Sequence, residues 1–292
     1  MLNTQPIFQF RSFKSYYDQY SIFYNDHIEV DKILDITNFK KVISNLDTHT
    51  LFCPVCNDVK SILPIHASVD TAPDVTASAL DQLGYYYMIN WNYITCSGCN
   101  NNSRQRMVLQ QLDQACANKT NLHIYLMSEI YSGINLSCQE KYPHHHIVSS
   151  EFDHPALAAD NNIPIENVQK LSFEDNLFDI IVSQDVFEHV ADPFEGFREL
   201  YRVLTPNGQI LLTIPSYFAI PDSHDTLAEE LDGETVYYRE PEYHDHSLVY
   251  NFFGLTLIDD LKAIGFSDVV LEIYQDPGIG LFIQTPLYRI TK

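Results

Sequence analysis

Residues Leu171–Pro215 read LSFEDNLFDIIVSQDVFEHVADPFEGFRELYRVLTPNGQILLTIP, and this stretch decides the fold. Phe178 to Ser183 is a short apolar run with acidic flanks, the pattern of a strand buried in a parallel sheet. Asp192-Pro193-Phe194-Glu195 is a helix start, with a capping Asp, Pro at the first helical position and Glu at the third. Phe194, Phe197, Leu200, Tyr201 and Leu204 then recur at helical spacing and give one apolar face. Pro206-Asn207-Gly208 stops the helix, and Gln209 to Ile214 returns as a strand. Strand, helix and strand form a right-handed βαβ unit of an open α/β sheet.

The flanks extend the same alternation. Upstream, His123 to Met127, His146 to Ser149 and Glu166 to Leu171 are expected strands. Downstream, Thr256 to Ile264 is an expected helix, with Thr256 and Asp259 spaced as a capping box and Gly265 at its end. Asp268 to Tyr274 is a strand, Asp276-Pro277-Gly278 a turn, and Ile279 to Ile290 the closing strand. Pro215 to about His246 is a long acidic and aromatic connection with a helix expected over Asp225 to Leu231. Tyr237, Tyr238, Tyr243, His244, Asp245 and His246 suit a sugar or another polar ligand. His244 or His246 is placed to act as a base, and a solvated acidic flap is the competing reading. Asp185, Glu188 and His189 fall at i, i+3 and i+4 and share a face if the segment turns helically. A general base, a divalent cation, or packing with His189 bonded to the backbone all fit that spacing.

Ahead of this unit stand Cys53-Pro54-Val55-Cys56 and Cys96-Ser97-Gly98-Cys99. Two C-x2-C knuckles in a reducing compartment point to a structural Zn2+ held by four thiolates, rather than to disulfides. The span between them exceeds the ~15–20 residues of a plain zinc ribbon. The ribbon therefore carries an insertion, with Ala67 to Leu83 as its expected helix. Cys116 and Cys138 read as buried thiols. His144-His145-His146 resembles a metal tract, but alternate side chains on a strand point opposite ways, so at most two converge. Residues 1–50 form an aromatic and helical arm, with a helix expected over Asp31 to Leu46. Residues 51–120 form the zinc-ribbon-like module with its linking helix, and 121–292 the α/β domain.

The chain has 292 residues and a formal net charge of −22. That balance argues against a nucleic-acid backbone as the main partner. Arg104 and Arg106 are the one small basic candidate, either an anion site or a solvated helix face. No apolar run approaches the ~18 residues of a membrane span. The first twenty residues carry no secretory pattern, which gives a cytoplasmic expectation.

The order L-S-F-x-D-x-x-F-D-I-I-V-S, then E-H-V-x-D-P, then E-L-x-R-V-L-x-P-N-G-x-I-L-L-T-I-P resembles the class I S-adenosylmethionine (SAM)-dependent methyltransferases, closest to the methyltransferase type 11 subgroup. Cys96 to Leu112 also resembles a segment that precedes some such domains, in which a zinc knuckle leads into a helix with an R-x-R start. The resemblance implies a Rossmann-like seven-stranded sheet with an antiparallel last pair, and SAM as cofactor. Glu129 and Gly133 stand in the loop that the family makes glycine-rich. Glu151 matches the position that accepts the ribose hydroxyls. Asn167 and Val168 match the adenine contacts, Asn167 to the exocyclic amine. Asp185 ends the fourth strand beside them. Asp185, His189 and His244 are the catalytic or acceptor-facing candidates. The implied activity is methyl transfer to an oxygen or nitrogen of a small polar or glycan-type acceptor. Two alternatives are a non-catalytic scaffold with a degenerate SAM loop and a zinc-ribbon nucleic-acid methyltransferase.

Overall fold

The structure is a computed structural model that describes residues 5–6, 8–11, 49–63, 89–90, 92–128, 134–152, 154–160, 162–215, 223–244 and 246–292. The helices expected over Asp31–Leu46 and Ala67–Leu83, and residues Glu129, Gly133 and Asp245, lie outside them.

In chain order the elements are β1 (Phe8–Phe10), β2 (Thr50–Cys53), β3 (Asp58–Ser61), α1 (Ser103–Cys116), β4 (His123–Met127), α2 (Ile134–Lys141), β5 (His146–Ser150) and α3 (Pro155–Asp160). There follow β6 (Phe178–Gln184), α4 (Pro193–Val203), β7 (Leu204–Thr213), the short strands β8 (Asp225–Thr226), β9 (Ala228–Leu231), β10 (Glu234–Tyr237), β11 (Tyr243–His244), β12 (Ser247–Leu248) and β13 (Asn251–Phe252), then α5 (Leu257–Ile264), β14 (Asp268–Asp276) and β15 (Leu281–Thr291). The main sheet has seven strands in the order β1-β14-β15-β7-β6-β4-β5. Strands β5, β4, β6 and β7 run parallel, while β15, β14 and β1 are antiparallel to their neighbours.

Both faces of the parallel core are covered, and the strand period of two divides it. Ile124, Leu126, Ile180, Val182 and Leu211 pack with Met107, Val108 and Leu112 of α1. Tyr125, Ile181, Ile210 and Leu212 pack on the other face with Phe197 and Leu200 of α4 and with Leu257, Ile258 and Leu261 of α5. Near-continuous apolar runs follow from burial on both sides. The cap at Asp192 forms as its sequence requires, with the side chain accepting from Glu195 N at 3.0 Å.

Four local expectations are corrected. Glu166 to Leu171 is not a strand; only an Ile165 bridge to Glu151 and an Asn167 to Lys170 bridge survive. The Asn167 side chain accepts from Gln169 N at 2.9 Å and its backbone carbonyl from Lys170 N at 2.9 Å, so the segment turns on itself. The seventh strand is instead β1, which adds to the outer edge of β14. Asp225 to Leu231 is not a helix but strands β8 and β9. The β9–β10 hairpin turns at Asp232-Gly233, with φ of +52° and +84°. Two positive φ angles in a two-residue loop suit Asp-Gly, because the turn twists with its strands. Pro206-Asn207-Gly208 does not form a separate turn after the helix; it lies in the irregular first half of β7, where register with β6 shifts. Thr256 makes no capping bond. No helix among the described residues is long and apolar enough to cross a membrane.

Candidate functional site

A cavity of about 940 Å³ opens beyond the carboxyl ends of β4, β5 and β6. The chain passes from β4 outward to β5 and then returns to β6 on the other side of β4, which makes this edge the topological switch point where α/β sheets bind ligands. Ligand pockets run to about 300–1,000 Å³, so there is room for a nucleoside-sized molecule with a small second one.

Glu151 is buried at the tip of β5 and lines the cavity. Its Oε1 accepts from Phe152 N at 2.8 Å and lies 3.5 Å from Ser128 Oγ. Val168 is buried and forms an apolar wall, while Asn167 stands exposed beside it. Val168 is backed by Gly196, where an added Cβ would meet Phe187 Cε1 at 3.0 Å and Val168 Cγ1 at 3.3 Å. Phe187 stacks on Phe197 with centroids 3.9 Å apart, which fixes that wall from behind.

Asp185 follows β6 in the left-handed region, at φ +53°. It pairs with Arg104 of α1 and accepts from Thr213 Oγ1 at 3.0 Å. Of the expected three-residue face, Glu188 and His189 share the 3-10 turn Phe187–His189, and Asp185 stands just before it. His189 Nδ1 bonds the Leu248 carbonyl oxygen at 2.8 Å. His244 arrives from the β11–β12 hairpin, its ring 5.1 Å from that of His189. Glu188 is 2% exposed, and among the described residues no other group donates a hydrogen bond to either carboxylate oxygen. Burial, then the neighbouring Asp185 charge, push its carboxyl well above the usual carboxylate range, against the pull of its own backbone N–H and of Arg104.

The acidic connection therefore delivers side chains to the cavity: Tyr243, His244, His246 and Ser247 all line it. Its anchors are backbone bonds, from Tyr250 N to Glu188 O at 2.7 Å and from Val249 N to Glu242 O at 2.9 Å. Tyr93, from between the two knuckles, and Tyr125 of β4 also line it. Sequence reasoning missed both. Tyr93 carries no local signal, and Tyr125 reads as ordinary strand core. The burial of Glu188 was equally invisible, since it depends on a hairpin almost sixty residues away in sequence.

The four knuckle cysteines converge. Cys53 and Cys99 sulfurs are 3.6 Å apart, Cys56 and Cys96 sulfurs 3.9 Å, and all four lie within 4.8 Å of one another. A tetrahedral thiolate site with Zn–S near 2.3 Å sets sulfurs about 3.8 Å apart, so the set fits Zn2+. The first knuckle is the turn of the β2–β3 hairpin, and Cys96 bridges to Ile62 just after it. Amide N–H groups of Cys56 and Gly98 point at the sulfurs of Cys53 and Cys96, at 3.5 and 3.3 Å.

Arg104 and Arg106 are neither a solvated face nor an open anion site. Arg106 is fully buried and donates to the carbonyl oxygens of Ile94 at 2.8 Å, Asn101 at 2.6 Å and Ile279 at 2.9 Å. Burial pulls its pKa down, and the four cysteines pull it back up. Between knuckle and arginines, Asn102 and Gln105 form a reciprocal capping box. The knuckle thus leads through a capped helix start to Arg104, and through Arg104 to Asp185 in the cavity.

A family model described as a methyltransferase domain matches residues 132–212. Phosphoethanolamine N-methyltransferase 2 of Caenorhabditis elegans is 40% identical over 42 residues, which are 14% of this chain and 10% of that protein. The chain therefore spans about a tenth of the length of that curated relative. Among solved structures, an S-adenosylmethionine dependent methyltransferase from Mesorhizobium loti is 15% identical, covering 63% of this chain and 98% of that one with a TM-score of 0.42. A SAM-dependent methyltransferase from Methanosarcina mazei is 17% identical, covering 60% and 93% with a TM-score of 0.42.

Proposed function

We propose that this chain, whose residues 132–212 match a methyltransferase domain, is a class I SAM-dependent methyltransferase that transfers a methyl group from SAM to an oxygen or nitrogen of a small polar or glycan-type acceptor. The observation that carries the reading is buried Glu151 at the carboxyl tip of β5, on the cavity wall. A carboxylate there accepts from both vicinal hydroxyls of a ribose. Val168 gives the adenine an apolar wall. Asn167 takes the exocyclic amine on the second lone pair of its side-chain carbonyl, the first being used by Gln169 N–H. Glu129 and Gly133 are assigned to the methionine end.

Bound SAM supplies a methyl group on a sulfonium, and the C–S bond breaks as the new C–O or C–N bond forms. The chain holds donor and acceptor in line and excludes water. Asp185 lines the cavity with its charge balanced by Arg104. The acceptor lies against Glu188, His189 and His244, the group that assists loss of its proton when a hydroxyl is methylated. The worm relative is named for N-methylation of phosphoethanolamine, also a small polar acceptor. The four knuckle cysteines hold a structural Zn2+. An arm over 1–50, a zinc-ribbon-like module over 51–120 and a methyltransferase domain over 121–292 complete the reading.

The test is transfer of labelled methyl from SAM into the small-molecule, polysaccharide and nucleic-acid fractions of the host cell. The expected result is label in a small polar or sugar product, lost with Glu151→Ala. No label in any fraction would favour a non-catalytic scaffold, and label in nucleic acid alone would overturn the acceptor class.

A further inference from the structure

Glu188 poses a problem that its surroundings answer. A buried carboxylate without donors is costly unless a cation stands beside it. Arg104, whose charge acts on Glu188, is paired with Asp185, whose own charge acts on it the other way. Two imidazole nitrogens face Glu188 Oε1, His189 Nε2 at 3.6 Å and His244 Nδ1 at 3.8 Å. These distances are too long for hydrogen bonds. They are close to what a shared ion imposes, since ligands about 2.1 Å from a tetrahedral centre stand about 3.4 Å apart.

The rings are also oriented for this. The His189 Nδ1 bond to the Leu248 carbonyl requires Nδ1 to carry the hydrogen, so the neutral ring turns its Nε2 lone pair toward Glu188. His244 Nε2 lies 3.6 Å from Glu242 Oε1, an acid on the outer side of the second ring. A carbonyl partner on the far nitrogen, as at His189, is how metal-binding histidines are held, while the Glu242 carboxylate stands near the second ring beyond hydrogen-bond distance.

We propose that Glu188, His189 and His244 bind a divalent first-row metal cation at the acceptor end of the cavity. Two imidazoles and one carboxylate suit Mn2+, Fe2+ or Zn2+, and three protein ligands leave positions open. Those positions open onto the cavity, because all three residues line it. The use of the ion rests on the methyl-transfer reading. An acceptor hydroxyl coordinates in an open position and releases its proton to solvent. The resulting oxyanion forms the new O–CH3 bond while the electron pair of the breaking C–S bond stays on sulfur. The ion also joins the turn after β6 to the β11–β12 hairpin, so cation binding fastens one wall of the acceptor site.

The probe is Mn2+, titrated into protein loaded with a single Zn2+ per chain, which the four thiolates take first, and followed by loss of the free-ion paramagnetic resonance signal. Mn2+ prefers oxygen and nitrogen to thiolate, which leaves the four-cysteine site to zinc. The expected result is one Mn2+ per chain, with affinity reduced at least tenfold in Glu188→Gln and in His244→Ala. His244 is partly exposed, and an unchanged circular dichroism spectrum of His244→Ala reports an intact fold. No Mn2+ bound at millimolar concentration, or equal binding by both variants, would overturn the site. SAM titrated separately into the Mn2+-free protein tests the activity reading on its own: Mn2+ binding without SAM binding would keep the site and remove its use.

Discussion

Arg106 concentrates more of the structure than any motif around it. Its guanidinium joins three carbonyl oxygens from the segment between the knuckles, from the residues after the second knuckle, and from the turn before β15. It does so beside four thiols that zinc binding would ionise, so its charge offsets theirs. Gly280 makes room for it: a Cβ there would lie 2.7 Å from an Arg106 nitrogen, and its φ is +81°. Arg106→Met should cost about 3–5 kcal/mol, because the buried carbonyls and thiolates lose their shared partner. Denaturant unfolding of the zinc-loaded variant measures this, and an unchanged midpoint would contradict it. Lys should not rescue it, since an ammonium cannot reach three acceptors in a planar fork. Gly196 offers a second residue-scale test. An Ala there presses on Phe187 and Val168, and over-packing of that kind costs about 1–3 kcal/mol. SAM affinity should weaken along with stability. A destabilised variant with undiminished affinity would remove Val168 from the adenine wall.

At the scale of elements, the zinc module and the Leu171–Pro215 unit behave differently. The two knuckles close a site whose ligands come from two hairpin-like pieces, so the metal does the joining. Cys56→Ser should lose about 3 kcal/mol or more, a fall in Tm of roughly 5 °C or more by differential scanning calorimetry. Equal melting with and without a chelator would contradict a structural ion. The βαβ unit is held instead by α4, whose Arg202 bonds Glu199 Oε1 at 2.8 Å and Asp175 Oδ1 at 2.8 Å and donates to the Phe173 carbonyl oxygen at 2.8 Å. The hydrogen bond from Arg202 holds the Glu199 carboxyl below the usual glutamate range. Its stabilisation is present above the unfolded value, near pH 4.3, and is lost as pH falls through the lowered folded value. Acid titration of the unfolding midpoint should therefore show less loss below about pH 4 in Glu199→Gln than in the parent. Identical acid profiles would argue against the contribution.

These elements also show what sequence carries. The strand at Phe178 and the helix from Pro193 were legible because their signals are local: an apolar run, a cap and a helical stripe. Asp232-Gly233 is a local hairpin signal, but it goes unread because the acidic run before it reads as helix. Asn167 defeated the strand expectation by binding its own backbone. The pairing of β1 with β14 spans most of the chain, and no short pattern announces it. The four cysteines were readable from spacing alone, whereas the burial of Glu188 and Arg106 depends on distant segments.

At the scale of the whole molecule, the sheet places its open carboxyl edge between the knuckle-linked helix α1 and the hairpins after β7. The net charge of −22 sits on a protein whose two candidate cationic side chains, Arg104 and Arg106, both face inward. On the proposed function, this body holds a donor over Glu151 and an acceptor near His189 and His244. Calorimetric titration of SAM into zinc-loaded protein, beside Glu151→Ala, tests that reading most directly. Micromolar binding by the parent, weakened at least tenfold in the variant, is the predicted result. Absence of heat and of any shift in melting temperature at millimolar SAM would contradict it.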